Sequence, residues 1–251
     1  MENDFYHKFI SPPDTLADFV ENLGMFYNPT ATEKPVVIVP DGRIDLFLTK
    51  SRSAGLQLTL VGLETFPEER WIPPGIVHYV ISFKPLAVEY ILQHPIAAIL
   101  NTAQVLAPNF WGFVEEDLTD FSTFCDKVSA KITDLLPATI DPRKRKLFHL
   151  LYGSKVDITV HQLAEQVGWS SRQMNRYFTQ QLGLSLKAYA NILRFRASLE
   201  HIAQGRLFPE LNFTDQNHFI KTIKKFAGVV PKELSKNKND RFILLSVLKQ
   251  Q

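Results

Sequence analysis

The sequence predicts an α+β chain, with a β-rich front half carrying flanking helices and an all-α back half. Three observations carry this. Up to about residue 90, short apolar or alternating runs stand between Pro- and Gly-containing turns. From 156 onward, apolar residues recur at three and four, with glycines at the ends of the periodic runs. Charge divides with the pattern: residues 1–140 hold 9 Lys+Arg and 18 Asp+Glu, a net of −9, and residues 141–251 hold 19 and 8, a net of +11. Such a split suits two units with different partners, the basic one fitted to a polyanion.

KPVVIVPDGRIDLFL places two β-rich runs around Pro40-Asp41-Gly42, residue types that turn chains. LQLTLVGLETF alternates until Pro67, and WIPPGIVHYVISF gives a turn and then another strand. Helical signals take over in PLAVEYILQ and in DLTDFSTFCDKVSAKITDLL. Pro137 and the DPRKRK run mark a boundary. The expected organisation is a β-rich sensing or dimerisation domain at 1–140, an interdomain segment at 141–155 and a helical domain at 156–251. In that domain VHQLAEQV, SSRQMNRYFTQQL, LKAYANILRFRASLEHIAQ and QNHFIKTIKKF each suit a helix of two to five turns. Gly168, Gly183, Gly205 and Gly228 lie near their ends. The apolar part of the tail is expected to pack back on a domain.

Composition removes several classes. A chain of 251 residues can bury a core. No apolar run approaches 18 residues, so no membrane span is expected. The acidic, polar MENDFYHKFISPPD is unlike a secretory signal, which makes the cytoplasm the expected compartment. A single cysteine, Cys125, excludes an internal disulfide and a multi-cysteine zinc site, and beside Phe121 and Phe124 it reads as a core thiol. There is no Gly-rich phosphate loop, no paired metal ligand set and no nucleophile motif. No cofactor, metal or enzymatic activity is expected.

In VHQLAEQVGWSSRQMNRYF one helix ends at Val167-Gly168 and Ser170 can cap the next, which is helix-turn-helix spacing. Leu163, Ala164 and Val167 would share a core with Met174 and Phe178, the small Ala164 letting the helices cross closely. Arg172, Asn175, Arg176 and Thr179 then point outward on a helix near 171–182. Arginine can grip guanine edges bidentately and asparagine adenine edges. A second stretch, NFTDQNHFIKTIKKFAGVVPKEL, begins with a cap-like Thr214-Asp215. A helix near 215–226 would turn Phe219, Ile223 and Phe226 inward and present Gln216, Asn217, Lys221, Lys224 and Lys225. His218 has no second ligand at metal spacing and reads as a packed or phosphate-facing imidazole. The run Arg143-Lys144-Arg145-Lys146 reads equally well as a phosphate contact or as a solvated helix start.

These pieces, in this order, resemble the AraC/XylS-type transcriptional regulators, which carry two helix-turn-helix units joined by a long helix. The resemblance runs from about 156 to 235. LAEQVGWSSRQMNRYFTQQLGLSLKAY looks like the first unit, ILRFRASLEHI like the connecting helix, and NFTDQNHFIKTIKKFAGVVPKEL like the end of the second. It implies that Arg172, Asn175 and Arg176 reach one major-groove segment and Gln216, Asn217 and Lys221 the next. One departure stands out: only RLFPEL separates Gly205 from Asn212-Phe213, and Pro209 discourages a long helix. The second unit is therefore expected to be truncated, with Pro209 and Leu211 as a wedge against Phe213 and Phe219. The first helix would then read bases, while the second grips phosphates through Lys221, Lys224 and Lys225.

The front half resembles an uncharacterised domain found ahead of some such regulators, in VVIVPDGRIDLFL, VGLETF and ISFKPLAVEYIL. That implies a cupin-like domain that senses a small molecule or dimerises. Asp41, Arg43, Asp45, Trp71 and His78 are its candidate ligand-binding residues, against a plain reading as turn and strand-face residues. The expected function is a sequence-specific, double-stranded-DNA-binding transcriptional regulator. Its expected partners are a small-molecule effector, a second copy and the transcription machinery. The alternatives are a small-molecule-binding protein or enzyme whose helical part mediates assembly, and a nonspecific nucleic-acid binder.

Overall fold

Residues 5–51, 55–153, 159–208 and 213–249 are described by the structure, a computed structural model. Among them the strands are β1 (Tyr6–Ile10), β2 (Val20–Tyr27), β3 (Lys34–Ile38), β4 (Ile44–Ser51), β5 (Gly55–Val61), β6 (Glu68–Ile72), β7 (Val77–Phe83) and β8 (Ala103–Val105). A six-stranded antiparallel sheet runs β1-β2-β7-β4-β5-β8, and β3 pairs with β6 alone. Pro40-Asp41-Gly42 thus turns the chain without closing a hairpin, because β3 and β4 belong to different sheets. The helices are α1 (Leu86–Tyr90), α2 (Phe121–Leu135), α3 (Pro142–Gly153), α4 (Val160–Val167), α5 (Ser171–Leu182), α6 (Leu186–Ala203), α7 (Gln216–Ala227), α8 (Pro231–Lys236) and α9 (Ile243–Lys249). The fold is α+β, β-rich in front and helical behind. No helix among the described residues is long and apolar enough to cross a membrane.

Two compact units divide the chain. One comprises 1–34, 43–62 and 72–140; the other comprises 35–42, 63–71 and 141–251. In the first, strand alternation buries Leu23, Leu46, Leu48, Leu58, Leu60, Tyr79 and Ile81 on one face of the large sheet. Helix α2 supplies Phe124, Val128 and Ile132 to the same core, and the Tyr79 and Phe124 rings meet at 5.0 Å. Asp120 caps α2 by accepting from the Ser122 and Thr123 amides at 2.8 and 3.0 Å. The Thr123 and Ser122 hydrogen bonds hold its carboxyl below the usual aspartate range. Cys125 is buried, and burial pushes its thiol up to about 11, away from thiolate chemistry. Gly62 is required where it stands, since a Cβ there would strike the Ile99 carbonyl.

Two groups of buried side chains are described in the second unit, the second of them a continuous core. Leu147, Phe148 and Leu151 of α3 are buried in the unit that also buries Leu163, Val167, Met174, Phe178 and Tyr189. Phe178 lies 5.7 Å from Phe148 and 5.4 Å from Tyr189, ring to ring. The segment read as interdomain is therefore helical over Pro142–Gly153 and contributes core residues. The continuous core joins Ile192, Phe195, Leu199 and Ile202 of α6 with Phe219, Ile223 and Phe226 of α7. Leu234 of α8, Phe242 and Leu245 of the tail, and Val37 and Val39 complete it. Val37 donates its amide to the Arg241 carbonyl at 2.6 Å, so the tail packs back as expected. At Gly42 (φ +79°) the carbonyl accepts from the Tyr189 hydroxyl at 3.0 Å, and a Cβ would stand 3.1 Å from Leu193.

Candidate nucleic-acid interface

Helices α4 and α5 form the helix-turn-helix that the spacing predicts. Thr159 starts α4 with a capping box: its Oγ1 accepts from the Gln162 amide at 3.2 Å, and Gln162 Oε1 accepts from the Thr159 amide at 2.8 Å. Gly168 ends it in the left-handed region (φ +72°), which favours glycine. Ser170 then opens α5 with a second capping box, paired with Gln173. Leu163, Val167, Met174, Phe178 and Leu182 face inward, and Ala164 is half-buried. That geometry leaves Arg172, Arg176 and Thr179 exposed on α5. Asn175 is half-buried and differently engaged. Its Nδ2 donates to the Ser171 carbonyl at 3.0 Å and its Oδ1 accepts from the Leu186 amide at 3.3 Å, which ties α5 to the start of α6.

Helix α7 is capped by Asp215, whose Oδ1 accepts from the His218 amide at 2.8 Å. Phe219, Ile223 and Phe226 are buried, while Asn217, Lys221, Lys224 and Lys225 are exposed. Gln216 turns back, its Nε2 donating to the Leu207 carbonyl at 3.1 Å. His218 is exposed at the helix start, with its Nδ1 3.3 Å from the Thr214 amide. Among the described residues no group of three or more His, Cys, Asp or Glu is placed to hold a metal. No helix occurs among residues 204–208 and 213–215, between α6 and α7. The wedge expected of Pro209 and Leu211 lies outside the described residues. Among the described residues, α7 is seated by the core it shares with α6, α8, the tail and β3.

Sequence reasoning missed a groove of about 300 Å³ between α3 and α5, lined by Arg143, Lys144, Trp169, Gln173, Arg176, Tyr177 and Gln180. Its signal was legible as the 173–176–177–180 stripe, one face of a helix that shares Arg176 with the outward stripe.

The candidate ligand residues fall in both units. Asp41 and Trp71 lie in the second, Asp41 half-buried and Trp71 61% exposed. Arg43, Asp45 and His78 lie in the first. Arg43 is buried and pairs with Glu21 at 2.7 Å, which also lies 3.5 Å from Lys84. Asp45 accepts from the Ser82 hydroxyl at 2.6 Å. His78 stacks on Phe26 at 5.0 Å, with its Nδ1 3.1 Å from Thr49 Oγ1, and its buried Nε2 has no hydrogen-bond partner among the described residues. Burial lowers its pKa to about 4. Asp45 and Thr49, the partner of His78, are four residues apart on β4, about 13 Å at strand rise, so the two sites are separate.

Residues 163–237 match the family model of a helix-turn-helix domain, which spans most of α4 through α8. This part of the chain is thus similar to a helix-turn-helix domain. No curated protein matches the chain. Similar solved structures include ToxT from Vibrio cholerae as a ligand-free lysine-to-alanine variant, at 10% identity and a TM-score of 0.44, covering 93% of this chain and 97% of that one. Wild-type ToxT bound to an unsaturated fatty acid is similar at 12% identity and 0.40, covering 94% and 96%. ToxT bound to (E)-4-(8-methylnaphthalen-1-yl)but-3-enoic acid is similar at 13% and 0.42, covering 96% and 99%. These likenesses are remote.

Proposed function

We propose that the chain is a transcriptional regulator that binds double-stranded DNA sequence-specifically, with α5 as its base-reading helix. The observation that carries this is the doubly capped α4–α5 unit, which buries Met174 and Phe178 and leaves Arg172 and Arg176 exposed on the opposite side. Arginines so placed can take guanine edges, and Thr179 extends the same stripe. Asn175, whose amide is engaged at the α5–α6 joint, acts as a positioning residue. Helix α7 contributes mainly phosphate contacts through Lys221, Lys224 and Lys225. With Gln216 turned back, Asn217 is the remaining neutral reader on that face. Selection of duplexes from a random pool by the purified chain tests the reading. Enrichment of a common sequence supports it, and recovery of an unenriched pool contradicts it.

The front unit is proposed as the part that responds to a small molecule. Its large sheet has a half-buried second face with Phe26, Phe47, Thr49 and His78, where the His78 Nε2 lacks a partner among the described residues. A ligand there would raise the melting temperature by mass action and shift duplex affinity reciprocally. A metabolite screen in which thermal shift and duplex affinity never move together would contradict it.

A further inference from the structure

We propose that the start of α3 is a phosphate clamp for the DNA backbone beside the α5 reading face, so that the DNA-contacting surface begins at Pro142, ahead of the matched domain. This rests on the DNA-binding reading above. Four basic residues, Arg143 to Lys146, occupy the first turns of α3, where the helix dipole favours anions and disfavours cations. The Asp141 carboxylate at the helix start offsets part of this opposition, and a phosphate among the cations would offset more.

The side chains are held for that purpose. The Arg143 guanidinium lies 5.2 Å from the Trp169 ring centre and the Lys144 ammonium 5.2 Å from that of Tyr177. Trp169 stands in the helix-turn-helix turn itself, and Tyr177 is on α5. Both rings line the groove that Arg176 also lines, so the clamp and the reading helix share one wall. Asp141 competes with phosphate for Arg143: Nε lies 3.1 Å from Oδ1 and Nη2 2.8 Å from Oδ2, and Oδ1 accepts the Arg143 amide at 2.9 Å. The Arg143 hydrogen bond holds the Asp141 carboxyl below the usual aspartate range, and the same pairing raises the guanidinium. A polyanion fits this surface by charge, and a duplex presents phosphates along the groove that α5 would enter.

The test uses the full chain, a duplex enriched from a random pool and a scrambled duplex, each titrated over a salt series. Arg143→Gln with Lys144→Gln should weaken both duplexes by about the same factor. The slope of log affinity against log salt should become shallower by about 0.9 for each phosphate that the variant no longer neutralises. Asp141→Asn, which keeps the cap while removing the competing carboxylate, should tighten both duplexes, and this arm stands even if the double variant misfolds. Unchanged affinity and slope in a folded double variant, or unchanged affinity in Asp141→Asn, would overturn the clamp and leave the base-reading role of α5 standing. A loss confined to the enriched duplex would place these residues at base edges and overturn the phosphate assignment. An unmodified chain with no duplex affinity would overturn both.

Discussion

Arg176 and Lys224 are both exposed cations on capped helices, and the proposed function gives them different work. Arg176 lies where the outward stripe of α5 meets a walled groove, and Arg176→Ala should cost about 1–3 kcal/mol of discrimination at one base pair. Lys224 sits in the last turn of a helix whose other exposed cations are lysines, and Lys224→Ala should weaken all duplexes about equally. Equal loss on every operator variant for Arg176→Ala would make it a phosphate contact instead. His78 yields a prediction in the other unit. Its folded pKa of about 4 lies below the unfolded 6.5, so the unfolded chain binds the proton first. Stability from this group is present above pH 6.5 and lost as pH falls from 6.5 towards 4. His78→Phe keeps an aromatic ring near Phe26 and should remove roughly 2–3 kcal/mol of the loss between pH 7 and 4.5. Identical pH dependence of denaturant unfolding in the variant would contradict the assignment.

At the scale of elements, α4 and α5 were legible because local and global signals agree. Thr159 with Gln162, and Ser170 with Gln173, write two capping boxes into the sequence, and Gly168 writes the stop between them. Ser170→Ala should therefore cost about 1 kcal/mol of unfolding free energy, read by denaturant titration. No change would mean that packing alone sets the start of α5. Helix α3 was harder to read because its charged first turns resemble a linker, while its three buried residues, Leu147, Phe148 and Leu151, take effect only through distant partners. Strands β1 and β2 were missed for a similar reason. β1 is an edge strand with alternating exposure, and β2 has Gly24 against the Phe9 ring at its centre. The candidate reading stripe was legible as a helix face. The engagement of Asn175 and Gln216 was not, since each depends on a carbonyl or amide supplied by the fold.

For the whole molecule, the sequence suggests a break near 141, whereas compactness groups 35–42 and 63–71 with the helices. Pattern reading places a strand by its own residues, and pairing with the tail at Val37 is a long-range event that it cannot see. The consequence is measurable. A fragment of residues 141–251 loses Val37 and Val39 from its continuous core, about 1.5–3 kcal/mol for each buried valine, so α7 and the tail should melt well below their temperature in the full chain. A fragment as stable as the full chain would show that these valines cover the core without supporting it. The central claim, sequence-specific reading of duplex DNA by α5, is tested most directly by substituting an enriched operator base by base. Each duplex is then bound with the full chain and with its Arg172→Ala and Arg176→Ala variants. The account predicts sharp preferences at a few positions, a different one of which disappears in each variant. Equal binding of every substituted duplex by the unmodified chain would contradict it.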